Sequence, residues 1–68
     1  MALSARNRLS GTVTSVDTHG PIAEVTVEVA DGETLAATIT TASVERLDIA
    51  EGEDVEAVIK ASSVMIDA

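Results

Sequence analysis

The sequence contains no cysteine, no phenylalanine, tyrosine or tryptophan, and only one histidine among 68 residues. The absence of cysteine excludes disulfides and thiolate zinc sites. The single histidine, His19, precedes Gly20-Pro21 and is typical of an exposed turn. A transition-metal centre and serine hydrolase chemistry are both disfavoured, because each needs further ligands or a positioned base. We therefore expect a protein that is not an enzyme and has no cofactor.

Basic residues are also scarce: 4 Lys and Arg stand against 12 Asp and Glu, a net charge of −8. This balance disfavours nucleic acid and anionic membrane surfaces as partners. Small barrels that bind single strands also need aromatic stacking platforms, which are missing. No stretch approaches the roughly 18 apolar residues of a membrane span, and no leader pattern follows Met1. These features predict a cytoplasmic protein that contacts neither nucleic acid nor membrane.

The chain length predicts one domain, residues 1–68. Ordering this many residues costs on the order of 100 kcal/mol of conformational entropy, against a core of Val, Ile, Leu, Met and Ala only. Small domains with little core commonly recruit a partner subunit. A hydrophobic content of 46% exceeds what one small barrel needs to bury. We therefore expect a homo-oligomer.

Apolar and polar residues alternate along much of the chain, and this period of two predicts strands with one buried face. The first strand is less regular, because Val13 and Val16 are three apart and Gly11 interrupts it. That irregularity indicates a bulge or strong bend. The predicted strands cover residues 9–17, 23–29, 35–40, 55–60 and 64–66.

The alternation breaks between the third and fourth strands, at residues 41–47. Val44 and Leu47 are spaced as on a helix, and Thr40 and Ser43 are suitable N-cap residues. The segment is therefore predicted to form one or two helical turns. The resulting order predicts an all-β fold, a five-stranded Greek-key barrel of the oligonucleotide/oligosaccharide-binding (OB) kind with one short helix.

Positively charged side chains occur at only four positions: Arg6, Arg8, Arg46 and Lys60. Small hydroxyl residues flank two of these positions, in the segments 4–8 and 60–63. A third hydroxyl cluster, residues 40–43, lies at the predicted helix N-terminus, where free N–H groups favour anions. Arg8 is interpreted as a structural ion-pair partner or a source of electrostatic attraction.

Together these clusters supply donors and no acceptor, as a tetrahedral dianion requires. Such a site favours an oxyanion that is fully ionised at neutral pH, such as molybdate, tungstate or sulfate, over hydrogen phosphate. The alternative is that the cations are solvated or pair with carboxylates, each pair contributing at most about 1 kcal/mol.

Several segments of the chain resemble the Mop domain, the molybdate- and tungstate-binding unit of molbindins, which is related to the TOBE domain. The opening S-A-R-N-R-L-S-G-T-V and the closing I-K-A-S-S-V carry most of this resemblance. Between them, L-A-A-T-I-T is followed by Ser43-Val44. The resemblance extends over almost the whole chain.

The resemblance implies a related barrel that assembles as a hexamer, a trimer of dimers, with oxyanions held between subunits. Family members often carry a hydroxyl directly after the closing lysine, whereas this chain has Ala61. A contact there must come from the backbone N–H or from Ser62. The implied oxyanion-binding residues are Ser4, Ala5, Arg6, Thr40, Ser43, Lys60, Ala61 and Ser62.

The function implied by the resemblance is the binding of molybdate or tungstate for storage and homeostasis, with sulfate as a competitor. The alternative is a regulatory or interaction module that senses molybdate for a transporter or transcription regulator. A third hypothesis is a structural barrel that has kept the fold and lost the ligand.

Overall fold

A computed structural model describes residues 7–68 of the chain. The four strands of the alternating segments and the short helix all form where the sequence predicts them, within one to two residues at most ends. In chain order the elements are β1 (Asn7–His19), β2 (Ile22–Ala30), β3 (Glu33–Thr40), α1 (Thr41–Arg46), β4 (Asp54–Ile59) and a single 3-10 turn (Ala61–Ser63).

The strands form one antiparallel sheet in the order β3-β2-β1-β4. Three consecutive strands are joined by tight connections, and β4 returns to lie beside β1. This spatial order is that of a Greek key. The predicted all-β Greek-key architecture with one short helix is confirmed.

Strand β1 is shared between two halves of the sheet. Its first half, Asn7–Thr12, pairs with β4, and its second half, Thr12–His19, pairs with β2. The register shifts between Val13 and Ser15, where β1 contains an extra residue. Because of this bulge, Val13 and Val16 both pack with the core although they are three residues apart. The predicted bulge is confirmed.

The core is small and consists of short aliphatic side chains. Val13, on the bulged strand, is only 1% exposed, and β2 supplies three of the five core residues. Helix α1 contributes one residue, which covers the end of this cluster. The buried core residues are Val13, Ala23, Val25, Val27 and Val44.

The prediction of a fifth strand at residues 64–66 is wrong. Beyond the 3-10 turn, residues 64–68 form no strand, and Met65 and Ile66 are 90% and 86% exposed. A strand needs a neighbouring edge for its backbone N–H and C=O groups, and this segment pairs with none in the described part of the chain. Residues 7–68 contain four strands instead of five, and they form a curled sheet.

An open groove of about 450 Å³ lies on the inner side of this curled sheet. Aliphatic side chains from β3 and β4 line it, and Leu47 and Ile49 from the connection after α1 complete its wall. None of the groove residues on β3 or β4 is fully buried. The inner surface is therefore only partly covered within one protomer. No helix within residues 7–68 is long and apolar enough to cross a membrane.

Candidate oxyanion site

The two hydroxyl residues predicted at the start of α1 are brought together. Thr40 is the N-cap, and its Oγ1 accepts a hydrogen bond of 3.0 Å from the backbone N–H of Ser43. The Thr40 hydroxyl in turn donates to Ser43 Oγ at 2.8 Å. The first of these hydrogen bonds is a helix N-cap. Together the two bonds hold both hydroxyls at the end of β3.

A third donor lies at the same place. Arg46, in the last turn of α1, donates from Nη2 to Ser43 Oγ at 3.4 Å. Within residues 7–68 no carboxylate lies within 4.0 Å of the Arg46 guanidinium. Arg46 is not among the binding residues that the sequence predicts. Its signal was the i, i+3 spacing from Ser43, which places two side chains on one face of a helix.

The backbone N–H groups predicted to favour anions at this helix N-terminus are partly occupied. The N–H of Thr41 donates to the carbonyl of Pro21 at 2.9 Å, and that of Ser43 donates to Thr40. The Thr41 hydroxyl also donates to the carbonyl of Gly20 at 2.7 Å. At this end of the sheet the structure brings together the side chains of Thr40, Ser43 and Arg46.

The closing cluster forms a separate group after β4. Lys60 is exposed and has no carboxylate within 4.0 Å among the residues that the structure describes. It precedes the 3-10 turn, in which the N–H of Ser63 donates to the carbonyl of Lys60 at 2.9 Å. The N–H groups of Ala61 and Ser62 have no acceptor within the described range. One ammonium and two backbone N–H groups thus lie together in this part of the described chain.

The opening donors Ser4, Ala5 and Arg6 lie outside the described residues. The described chain begins at Asn7, which pairs with Ile59 of β4. The sheet register therefore brings the start of the described chain next to the residue that precedes Lys60.

The sheet places the two described clusters at opposite ends of β1. Thr40 pairs with Ile22, which pairs with His19 at the end of β1, whereas Lys60 follows the partner of Asn7 at its beginning. No hydrogen bond or ion pair between residues 7 and 68 joins the two clusters. One described protomer does not gather all predicted donors around one ion.

Arg8 and His19, which the sequence also singles out, both lie on β1, with His19 as its last residue and not in the turn that was expected. Arg8 forms an ion pair with Glu56 on the adjacent β4, which confirms its interpretation as a structural partner. His19 is exposed and lies 3.2 Å from a carboxylate oxygen of Asp17. No group of three or more His, Cys, Asp or Glu side chains in residues 7–68 is arranged to hold a metal ion.

Comparison with known protein families identifies the fold. The model of the TOBE domain matches residues 3–66. The chain belongs to the TOBE domain family. The resemblance to the molbindin Mop domain is also confirmed, because the chain is 42% identical over 66 residues to molybdenum-pterin-binding protein 3 of Clostridium pasteurianum. That alignment covers 97% of each chain.

Solved structures agree with this assignment. The TOBE chain superimposes on MopII from Clostridium pasteurianum with a TM-score of 0.91 at 40% identity, covering 98% of this chain and 100% of MopII. It matches the cytoplasmic molybdate-binding protein ModG, in a form with molybdate bound, with a TM-score of 0.91 at 40% identity. That match covers 96% of this chain and 46% of ModG.

Proposed function

We propose that this TOBE chain is a single Mop domain over residues 1–68 that binds molybdate or tungstate in the cytoplasm, for storage and homeostasis and without catalysis. The proposal rests on the residues that form the two described clusters: Thr40, Ser43 and Arg46 at α1, and Lys60, Ala61 and Ser62 after β4. Arg46 and Lys60 are the basic residues of the described chain that lack a carboxylate partner there, and both lie beside hydroxyl or backbone N–H groups. Relatives named for molybdenum or molybdate binding support the same ligand.

A binding role fits the energetics of a dianion. Removing such an ion from water costs several kcal/mol unless its charge is compensated and its oxygens accept hydrogen bonds. Lys60 and Arg6 supply compensation in this proposal. Ser4, Thr40 and Ser43 supply directed hydroxyl groups, and the backbone of Ala5, Ala61 and Ser62 supplies further donors. Sulfate presents the same tetrahedral acceptor set and competes.

We also propose that the ligand lies between subunits of a homo-oligomer, a hexamer built as a trimer of dimers. The separation of the two clusters along β1 supports this arrangement. One protomer holds only part of the donors near any one ion, and a second protomer can supply the others. The exposed Met65 and Ile66 and the open apolar groove support assembly, since their burial provides hydrophobic stabilisation.

The proposal is tested by thermal melts followed by circular dichroism, because the chain has no Trp or Tyr for fluorescence. Molybdate, tungstate, sulfate and phosphate are added in turn at matched ionic strength. A ligand at 100 times its Kd stabilises the folded state by about 2.7 kcal/mol. A rise in melting temperature with molybdate and tungstate that exceeds the rise with phosphate supports the proposal. Equal shifts with all four anions, or none, contradict it.

Two variants test which side chain causes the rise in melting temperature. Lys60→Gln removes the charge of the closing cluster, and we expect it to abolish most of the rise. Arg8→Gln removes the same unit of charge from a side chain that is paired with Glu56, and we expect the rise to persist. Co-purification of the chain with a transporter or regulator would instead support the sensing role.

A further inference from the structure

We propose that the C-terminal segment of one protomer, residues 64–68, docks in the groove between β3 and β4 of a second copy and thereby completes the oxyanion site. This inference rests on the proposed function and names the segment and the surface that join the subunits. The segment V-M-I-D-A offers no donor side chain to an anion. Its role is to bring the Lys60 cluster, which precedes it in the chain, to the donors of the second copy.

The C-terminal segment is apolar and is hardly covered by its own protomer. Met65 and Ile66 are almost fully exposed, and Val64 is about half exposed. The segment pairs with none of the strands in residues 7–68. Adjacent large apolar side chains at such exposure are typical of a surface that a partner covers.

The groove offers what this segment needs. Strands β3 and β4 are the two edges of the sheet, and within the described chain each is paired on one side only. An edge strand presents unpaired N–H and C=O groups to which an extended segment can add. Aliphatic side chains of the same two strands line the groove. A segment that pairs with either edge can therefore also bury Val64 and Ile66, which lie on one face of an extended chain.

The position of the segment favours a second copy as the owner of the groove. The turn after β4 closes with hydrogen bonds from the Ser63 N–H to the Lys60 carbonyl at 2.9 Å and from the Val64 N–H to the Ala61 carbonyl at 3.4 Å. Beyond this turn the chain leaves the sheet, and residues 64–68 do not line the groove of their own protomer. A second copy supplies an identical groove.

The strand directions link this docking to the oxyanion site. Strand β1 is antiparallel to β2 and β4, and β2 is antiparallel to β3. Strands β3 and β4 therefore run in opposite directions. Thr40 ends β3 at one end of the groove, and Lys60 follows β4 at the other.

A segment docked along either strand, in either direction, begins at one of these two ends. Because the segment follows Lys60 and the 3-10 turn directly, docking carries the Lys60 cluster of one copy to a donor cluster of the other. The site is then incomplete in a protomer alone, and binding of the ion and association of the copies stabilise each other.

The first test measures the Kd for molybdate by titration calorimetry with the full chain. Replacing Met65 and Ile66 with Asn removes the apolar side chains and no donor to the ion, and we expect the Kd to rise by about tenfold or more. Replacing both residues with Leu keeps apolar side chains and should leave the Kd near that of the wild-type chain. Circular dichroism verifies that each variant is folded.

The second test locates the segment by cross-linking, since the chain has no cysteine of its own. An Ile66→Cys chain is mixed with an Ala37→Cys chain, whose thiol lies in the middle of the groove on β3, and is mildly oxidised. Thr38→Cys, on the opposite face of β3, is the control. A disulfide forms only when two Cα atoms come within about 7 Å. We expect more of the mixed dimer, identified by its mass, with Ala37→Cys than with Thr38→Cys.

The outcomes separate this inference from the proposed function. If the wild-type chain binds molybdate and the Asn variant binds it equally well, the role of the segment is refuted and the oxyanion function stands. Equal mixed-dimer yields with Ala37→Cys and Thr38→Cys refute docking in the groove. A disulfide that forms only within a chain carrying both Ile66→Cys and Ala37→Cys also refutes it, since the segment then lies in its own groove. If the wild-type chain binds no molybdate, both proposals fail.

Discussion

Gly11 on β1 faces the backbone carbonyl of Glu28 on β2 so closely that a Cβ atom on Gly11 would lie 2.5 Å from that oxygen. The same Cβ would lie 2.7 Å from a methyl group of Val27. Real Cβ atoms do not approach a backbone oxygen to this distance, and the carbonyl belongs to the most buried strand. Glycine at this position therefore allows β2 to pack closely against β1 near the bulge.

The substitution Gly11→Ala is expected to destabilise the fold by about 1–3 kcal/mol, the typical cost of overpacking. The measurement is urea unfolding followed by circular dichroism. Ser10→Ala, one residue away on an exposed position, is the control and should change the free energy of unfolding by less than about 0.5 kcal/mol. Equal effects of the two substitutions would show that the close approach of β2 is unimportant.

The cap formed by Thr40 also predicts a stability change. Thr40→Val keeps the shape of the side chain but removes the oxygen that accepts the Ser43 N–H. We expect a loss of about 1 kcal/mol in the free energy of unfolding. Thr40→Ser retains the hydroxyl and should retain most of the stability. A Thr40→Val chain as stable as Thr40→Ser would contradict the assignment of this cap.

Assembly can be tested at the exposed end of the chain. Replacing Met65 and Ile66 with Asn leaves the net charge unchanged and removes two large apolar side chains that are almost fully exposed in the protomer. Sedimentation equilibrium is expected to give an oligomer for the wild-type chain and a smaller mass for the double variant. An unchanged mass would show that these side chains take no part in assembly.

The dependence of binding on salt follows from the net charge of −8. The negative field of the whole protein opposes the entry of a dianion, and salt screens that field over a Debye length of about 10 Å at 0.1 M. Molybdate binding should therefore tighten as ionic strength rises from low values. Equilibrium dialysis against sodium chloride solutions measures this effect, and weaker uptake with added salt would be the contrary result.

Much of the fold could be predicted because each described strand has one buried and one exposed face. In β2 the apolar positions Ala23, Val25 and Val27 alternate with polar ones, and all three are buried. The spacing of Val13 and Val16 predicted the bulge for a similar reason, since only an extra residue keeps both valines with the core. The alternation of apolar and polar residues was sufficient to predict the strands whose partner strands belong to the same chain.

The remaining features depend on strand pairing, side-chain direction and sheet register, which the alternation of apolar and polar residues does not reveal. Val64 and Ile66 alternate like a strand, but they pair with no strand of the described chain. The hydrogen bond between Arg46 and Ser43 depends on side-chain direction at the end of a short helix. The distance between the Thr40 and Lys60 clusters follows from the register of β1, which composition does not reveal.

The division of β1 between two partners also predicts where the fold opens. Among the described residues, strand β4 has no fully buried residue and is hydrogen-bonded to β1 alone, whereas β2 has three buried residues and a strand on each side. Segments with few buried contacts open with lower free energies than the core. Amide hydrogens of β4 therefore exchange with solvent sooner than those of β2. The edge strand that leads to Lys60 is thus held by one neighbour and opens more easily than the central strand β2.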